Sequence, residues 1–339
     1  GKCGKYRGLY RSGSASLLFS DLLSIGSANI KQLSRNCRCP IQMLGEFGMN
    51  AIVVKDAVSR GLSVVSNHGA VLAVYVATLF LSAVLLFSVQ PIFAKIVLPT
   101  LGGSPSVWAV AMCFFQAVLL AGYCYAHLLN RYVRVRHAPL FHLLLLGGGL
   151  MALPFALPAF AGNPPSDNAY LWLIGVLTVG VGLPFFAVSA NAPLLQAWFA
   201  RTGHPDAHDP YFLYGASNFG SLIALLSYPV VIEPIFGLKA QALIWTNGYM
   251  LLGLGILACG LLLLLRSPRG ARSVAAETAS RTAAQSIRWS SRFHWIALAF
   301  VPSGLLVAYT THLTTDLASA PFLWVIPLAV VMCSFIVVF

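Results

Sequence analysis

Eight stretches of nearly unbroken apolar residues divide this chain: 71–89, 107–128, 139–160, 170–190, 211–231, 242–265, 295–313 and 321–339. Each approaches the roughly 20 apolar residues that a helix needs to cross the hydrocarbon core of a bilayer. None alternates polar with apolar as the strands of an outer-membrane barrel do. The stretches are therefore read as helices, which satisfy their own backbone hydrogen bonds in lipid. Composition agrees, because 58% of the 339 residues are hydrophobic and only 9% are charged, too few charges for an ordinary water-soluble domain. The expected fold is all-α, a polytopic transmembrane bundle of about eight spans, with the lipid bilayer as its main partner.

The formal net charge of +12 would suggest a nucleic-acid partner in a soluble protein, but its distribution points elsewhere. If the N-terminus is cytoplasmic, nine Lys or Arg fall in residues 1–70 and ten in later inner loops, leaving only Lys95 and Lys239 on the opposite side. That bias predicts an N-in, multi-pass protein of the bacterial inner membrane, with no nucleic-acid partner.

Four regions follow. Residues 1–69 are a basic, Ser-rich extension expected to be disordered, with Met49 as an alternative start, and no cleavable signal peptide stands out. Residues 70–265 hold six spans, 266–293 form an Arg-rich inner linker, and 294–339 begin a second set of spans that stops inside an apolar run, as a fragment would. Six spans, a long basic loop and renewed spans is the layout of a transporter built from two six-helix halves, here a truncated 6+2 version of the major-facilitator (MFS) arrangement.

Candidate functional residues are the polar exceptions. Lys95, Glu233, His312 and Asp316 stand at or near the outer ends of spans. A charge at the bilayer centre costs about 2.5 to 3.5 kcal/mol on insertion scales, so such groups are expected to have a partner or a role. Lys95 and Asp316 each follow the first span of a half and are candidates to pair; a ligand or proton site and plain outer-loop positions are the other readings. Asn218 lies among the small residues Ala216, Ser217, Gly220 and Ser221, where interhelical packing is favoured over substrate contact, and Gln90 beside Pro91 poses the same choice. Pro193 is expected to break the helix from Tyr170 near Ser189–Asn191. Ser189 or Asn191 would then cap a short inner-surface helix, 192–199, with Trp198 as its interfacial anchor.

Several chemistries are unsupported. The seven cysteines are odd in number, four lie in apolar runs, and Cys37 and Cys39 have no second pair at zinc spacing, so neither a disulfide framework nor a metal site is expected. No phosphate-binding loop, zincin or nucleophile-elbow motif occurs, so no catalytic residue and no cofactor is assigned.

Three blocks carry a family likeness: "FSVQPIFAKIVLPTLGGSPSVWAVAMCFFQAVLLAGYCYAHLL" at 87–129, "SANAPLLQAWFARTGHPDAHDPYFLYGASNFGSLIALLSYP" at 189–229, and "THLTTDLASAPFLWVIPL" at 311–328. In order and spacing they resemble the membrane region of bacterial fused MFS/spermidine synthase-like proteins, from about residue 70 onward. The resemblance implies a soluble aminopropyltransferase-like domain, fused or partnered, that binds decarboxylated S-adenosylmethionine and a polyamine. No Gly-rich nucleotide loop for such a domain occurs in these residues, so no synthase residue is carried over. The positions that match are Gln90, Lys95, Asn191, Asn218, His312 and Asp316. With Glu233 they form the tentative substrate-binding set, for a domain that moves or senses a polyamine or similar cationic metabolite. The alternative is a passive membrane anchor for the soluble domain.

Overall fold

The computed structural model describes residues 67–101, 105–155, 162, 168–208, 210, 212–266, 289–312 and 325–338, nearly all of them in the unit His68–Phe339. The extension up to residue 66, most of the 266–293 linker, and Asp316 lie outside the described residues.

Every regular element among the described residues is helical. Helix α1 spans His68–Leu101, α2 Pro105–Tyr132 and α3 Ala138–Leu150. The next stretch runs through α4 (Ala169–Leu177), a π-turn (Thr178–Gly182), α5 (Leu183–Ser189) and α6 (Asn191–Phe199). Then come α7 (Phe212–Ser227), a second π-turn (Tyr228–Ile232), the short α8 (Glu233–Ile235) and α9 (Leu238–Arg266). Helices α10 (Trp289–His312) and α11 (Val325–Val338) complete the set. Six helical stretches are long and apolar enough to cross a membrane, while α3 and the last helix are shorter.

Prolines explain where the helices depart from the apolar runs. The first run is expected to end at Val89, yet α1 continues to Leu101 with Pro91 and Pro99 inside it. Each proline forfeits one backbone hydrogen bond, whereas unwinding ten residues in an apolar setting would strand many, so the helix persists. Lys95, expected just beyond the first span, is therefore a residue of the continued helix. Conversely, α3 stops at Leu150, short of the run's end at 160, because Pro154 disfavours helix at Leu153.

Both π-turns adjoin a proline, Pro184 just after the first and Pro229 inside the second. A proline leaves a carbonyl one turn back without its donor, and widening the turn is a common way to absorb that. In the second π-turn the Glu233 amide donates to the Tyr228 carbonyl, five residues back.

Close approach depends on small residues. A Cβ at Gly220 on α7 would lie 2.7 Å from the Phe80 backbone oxygen on α1, so these helices meet backbone to backbone there. This is the role expected of the Ala216/Gly220 pair. A Cβ at Gly122 on α2 would collide with the Ser189 hydroxyl on α5. Helix α9 docks on α1 through two side-chain donors: Trp245 Nε1 to the Leu85 carbonyl at 2.9 Å, and Tyr75 Oη to the Cys259 carbonyl at 3.0 Å.

The outside of the bundle is apolar. Leu120, Leu144, Leu254 and Phe300 are 65%, 64%, 63% and 73% exposed, while Asn191 and His142 are both 0% exposed. Large apolar side chains outside and hydrogen-bonded polar ones inside suit lipid as the solvent, since a soluble monomer rarely exposes so extended an apolar surface. The chain is read as a multi-pass membrane protein on this ground.

Candidate functional site

Two polar clusters lie within the bundle. The first forms where α1 meets the second π-turn. Pro229 widens that turn and sets Glu233 directly after it, and the continued α1 helix presents Lys95 to Glu233. Lys95 Nζ donates to Glu233 Oε1 in an ion pair whose side chains are 25% and 27% exposed. Lys95 Nζ also lies 6.0 Å from the Tyr228 ring centroid, within cation–π range. The Tyr228 hydroxyl donates to Gln241 Oε1 at 3.1 Å, and Gln241 Nε2 donates to the Phe236 carbonyl at 2.7 Å, which ties the 236–237 turn to α9. The other Glu233 oxygen, Oε2, is buried without a hydrogen-bond partner among the described residues. A carboxylate held on one side only retains acceptor capacity for a further donor.

The second cluster sits at the helix break. The chain turns at Ala190 (φ −73°, ψ −17°) and resumes helix at once, so Leu194 still donates to the Ala190 carbonyl at 3.2 Å. Pro193 falls in the first turn of α6, where a missing amide costs little. No side chain caps α6, contrary to the capping expected of Ser189 or Asn191. Ser189 Oγ instead donates to the Phe186 carbonyl at 2.8 Å. Asn191 turns inward, where its Oδ1 is 2.7 Å from His142 Nε2 and its Nδ2 donates to Ser82 Oγ at 3.0 Å. Ser82 Oγ reaches the Val188 carbonyl at 3.5 Å. Three stretches of chain, α1, α3 and the broken helix, are thus joined through one asparagine.

Trp198 corrects another expectation. It is fully buried, and its ring stands edge-on to His142 with centroids 6.3 Å apart, so it is a core residue rather than an interfacial anchor. An α6 lying on the inner surface would expose it; instead α6 packs into the bundle.

At the bundle end that holds the start of α1, His204 Nε2 contacts the His68 carbonyl at 3.1 Å, and Arg266 Nη1 contacts His68 Nδ1 at 3.3 Å. His204 Nδ1 accepts from the Asp206 amide at 3.1 Å, so its Nε2 carries the proton and donates to His68. These contacts join the start of α1 to the end of α9 and the 202–208 segment.

Of the residues singled out by sequence, Lys95 and Glu233 come together, and Asn191 is central to the second cluster. Gln90 Nε2 bonds back to the Leu86 carbonyl at 3.4 Å within its own helix. Asn218 is half-buried and makes no side-chain hydrogen bond among the described residues. Close packing at Gly220 binds α7 to α1 without it. His312 is an exposed residue at the end of α10. Asp316 lies outside the described residues, and the described carboxylate partner of Lys95 is Glu233. Sequence reasoning passed over His142, Ser82, Tyr228 and Gln241. His142 had a readable signal, being the one ionisable residue in the 139–160 apolar run.

Among the described residues no three His, Cys, Asp or Glu side chains group at metal-binding distances. A small hollow near Lys95 is lined by Ala94, Val97, Trp108, Ala111, Phe115 and Leu173 among others, all apolar. Comparison with protein-family models, with curated proteins and with solved structures found no match.

Proposed function

We propose that the chain is a transporter-like, N-in membrane domain of the spermidine synthase-like fusion kind, and that it binds a polyamine or similar small cation at Glu233. The supporting observation is the half-engaged carboxylate: one oxygen holds the Lys95 ammonium and the other is buried without a partner. A polyamine carries the same donor group as lysine, so it competes with Lys95 for Glu233 rather than requiring a new site. The π-turn before Glu233 is a local irregularity of the sort often found at functional positions in helices. Asp316, on the same membrane face in the N-in topology, is the second carboxylate in this proposal.

Uptake of labelled spermidine into proteoliposomes tests the reading. Wild-type chain should exceed empty vesicles, and Glu233→Gln should bring uptake to the empty-vesicle level. Uptake equal to empty vesicles for the wild type, or untouched by Glu233→Gln, contradicts it.

A second reading, a passive anchor for an aminopropyltransferase-like domain, draws support from the wholly apolar lining of the hollow beside Lys95. An anchor needs length and lipid-facing apolar surface alone. Exchanging the spans for an unrelated anchor would leave its phenotype intact.

A further inference from the structure

Three buried polar atoms around His142 have no hydrogen-bond partner among the described residues: the imidazole Nδ1, the Trp198 indole Nε1 and the Tyr125 hydroxyl. His142 and Trp198 are both 0% exposed. The Tyr125 and Trp198 rings pack against the same imidazole, with centroids 6.0 and 6.3 Å from it. Their hydrogen-bonding capacities are complementary. Asn191 presents its Nδ2 to Ser82 and its Oδ1, an acceptor only, to His142, so His142 Nε2 donates and carries the imidazole proton. His142 Nδ1 is consequently a lone-pair acceptor, the indole N–H donates only, and the phenol does both.

We propose that these groups bind one water molecule, which donates to His142 Nδ1, accepts from Trp198 Nε1–H and completes its bonding with Tyr125 Oη. A water about 2.9 Å from each of two partners bridges groups roughly 5 Å apart, and the Tyr125 and Trp198 rings both stand within 6.3 Å of the imidazole, centroid to centroid. The ligand must offer both a donor and an acceptor, which an apolar molecule lacks. A cation has no acceptor for the indole, and among the described residues His142 forms no ion pair with a carboxylate. A small neutral hydrogen-bonding molecule therefore fits. Bound there, water links α2, α3 and α6, so the Ala190 break is held by a closed hydrogen-bond network in addition to packing. This inference stands independently of the polyamine reading.

The test is NMR of the full chain in lipid nanodiscs with 15N-labelled histidine and tryptophan. His142 should be neutral with its proton on Nε2, its Nδ1 should resonate as a hydrogen-bonded acceptor, and the Trp198 indole proton should show a cross-peak to water. Trp198→Phe should move the Nδ1 resonance toward that of a free imidazole nitrogen. Loss of the signal in His142→Gln assigns it, and backbone connectivity in the wild type assigns it should the variants not fold. A proton on Nδ1, an indole proton without a water cross-peak, or an Nδ1 resonance unmoved in folded Trp198→Phe would overturn the proposal.

Discussion

The Ala190 break and the Lys95–Glu233 contact both join helices distant in sequence, but by different physics. At the break, neutral groups are fully buried, and each hydrogen bond of Asn191 leaves a partner stranded if lost. At Lys95–Glu233, two charges remain about a quarter exposed, and one carboxylate oxygen is uncommitted. A buried neutral network favours one arrangement, because every alternative strands polar atoms away from water. A partly exposed ion pair is exchangeable, since solvent can take the place of either member and another cation that of the lysine at modest cost. The Ala190 break is thus the fixed joint of the bundle and the Lys95–Glu233 contact the replaceable one.

The largest effect expected from breaking either site is at the centre. Asn191→Ala leaves His142 and Ser82 short of partners, and at about 1 to 3 kcal/mol per stranded buried group the loss should be roughly 2 to 6 kcal/mol. Reversible unfolding in bicelles measures it, and the loss should hardly change between low and high salt. Next comes Gly220→Ala, which forces a methyl against the Phe80 backbone of α1. A shift of backbone costs about 2 kcal/mol by the usual penalty for overpacking, read in the same unfolding assay.

The ion pair should yield less. Lys95→Glu and Glu233→Lys singly are each expected to cost about 1 kcal/mol, with the double reversal recovering most of it and the coupling shrinking as salt rises. Additive losses would show that the two charges do not act as a pair. Smallest of all, Asn218→Ala should change stability by less than about 0.6 kcal/mol, the average for a membrane hydrogen bond that this residue does not make.

The helices were legible because lipid imposes a simple demand: the apolar runs from 71, 107, 170, 211, 242 and 295 each coincide with a long apolar helix. Their ends were less so, since Pro91 and Pro154 look alike in a sequence, yet α1 passes through the first and α3 stops before the second. Gly220 was readable as a packing position because a missing side chain has few other uses inside a span. Partners were not readable. Glu233 reaches Lys95 only because Pro229 widens the preceding turn and α1 outlasts Pro91, two backbone events that spacing alone does not encode. Trp198 misled for a related reason: an interfacial tryptophan and a core tryptophan share a sequence context at a span end. Asn191 was visible as a polar interruption, but its direction depended on helix resuming within one residue of the break.

The claim that Lys95 occupies the place of an external cation is tested most directly by spermidine binding to Lys95→Met in lipid nanodiscs. Removing the internal competitor should tighten binding at least several-fold relative to wild type. Equal or weaker binding by the folded variant would contradict the account.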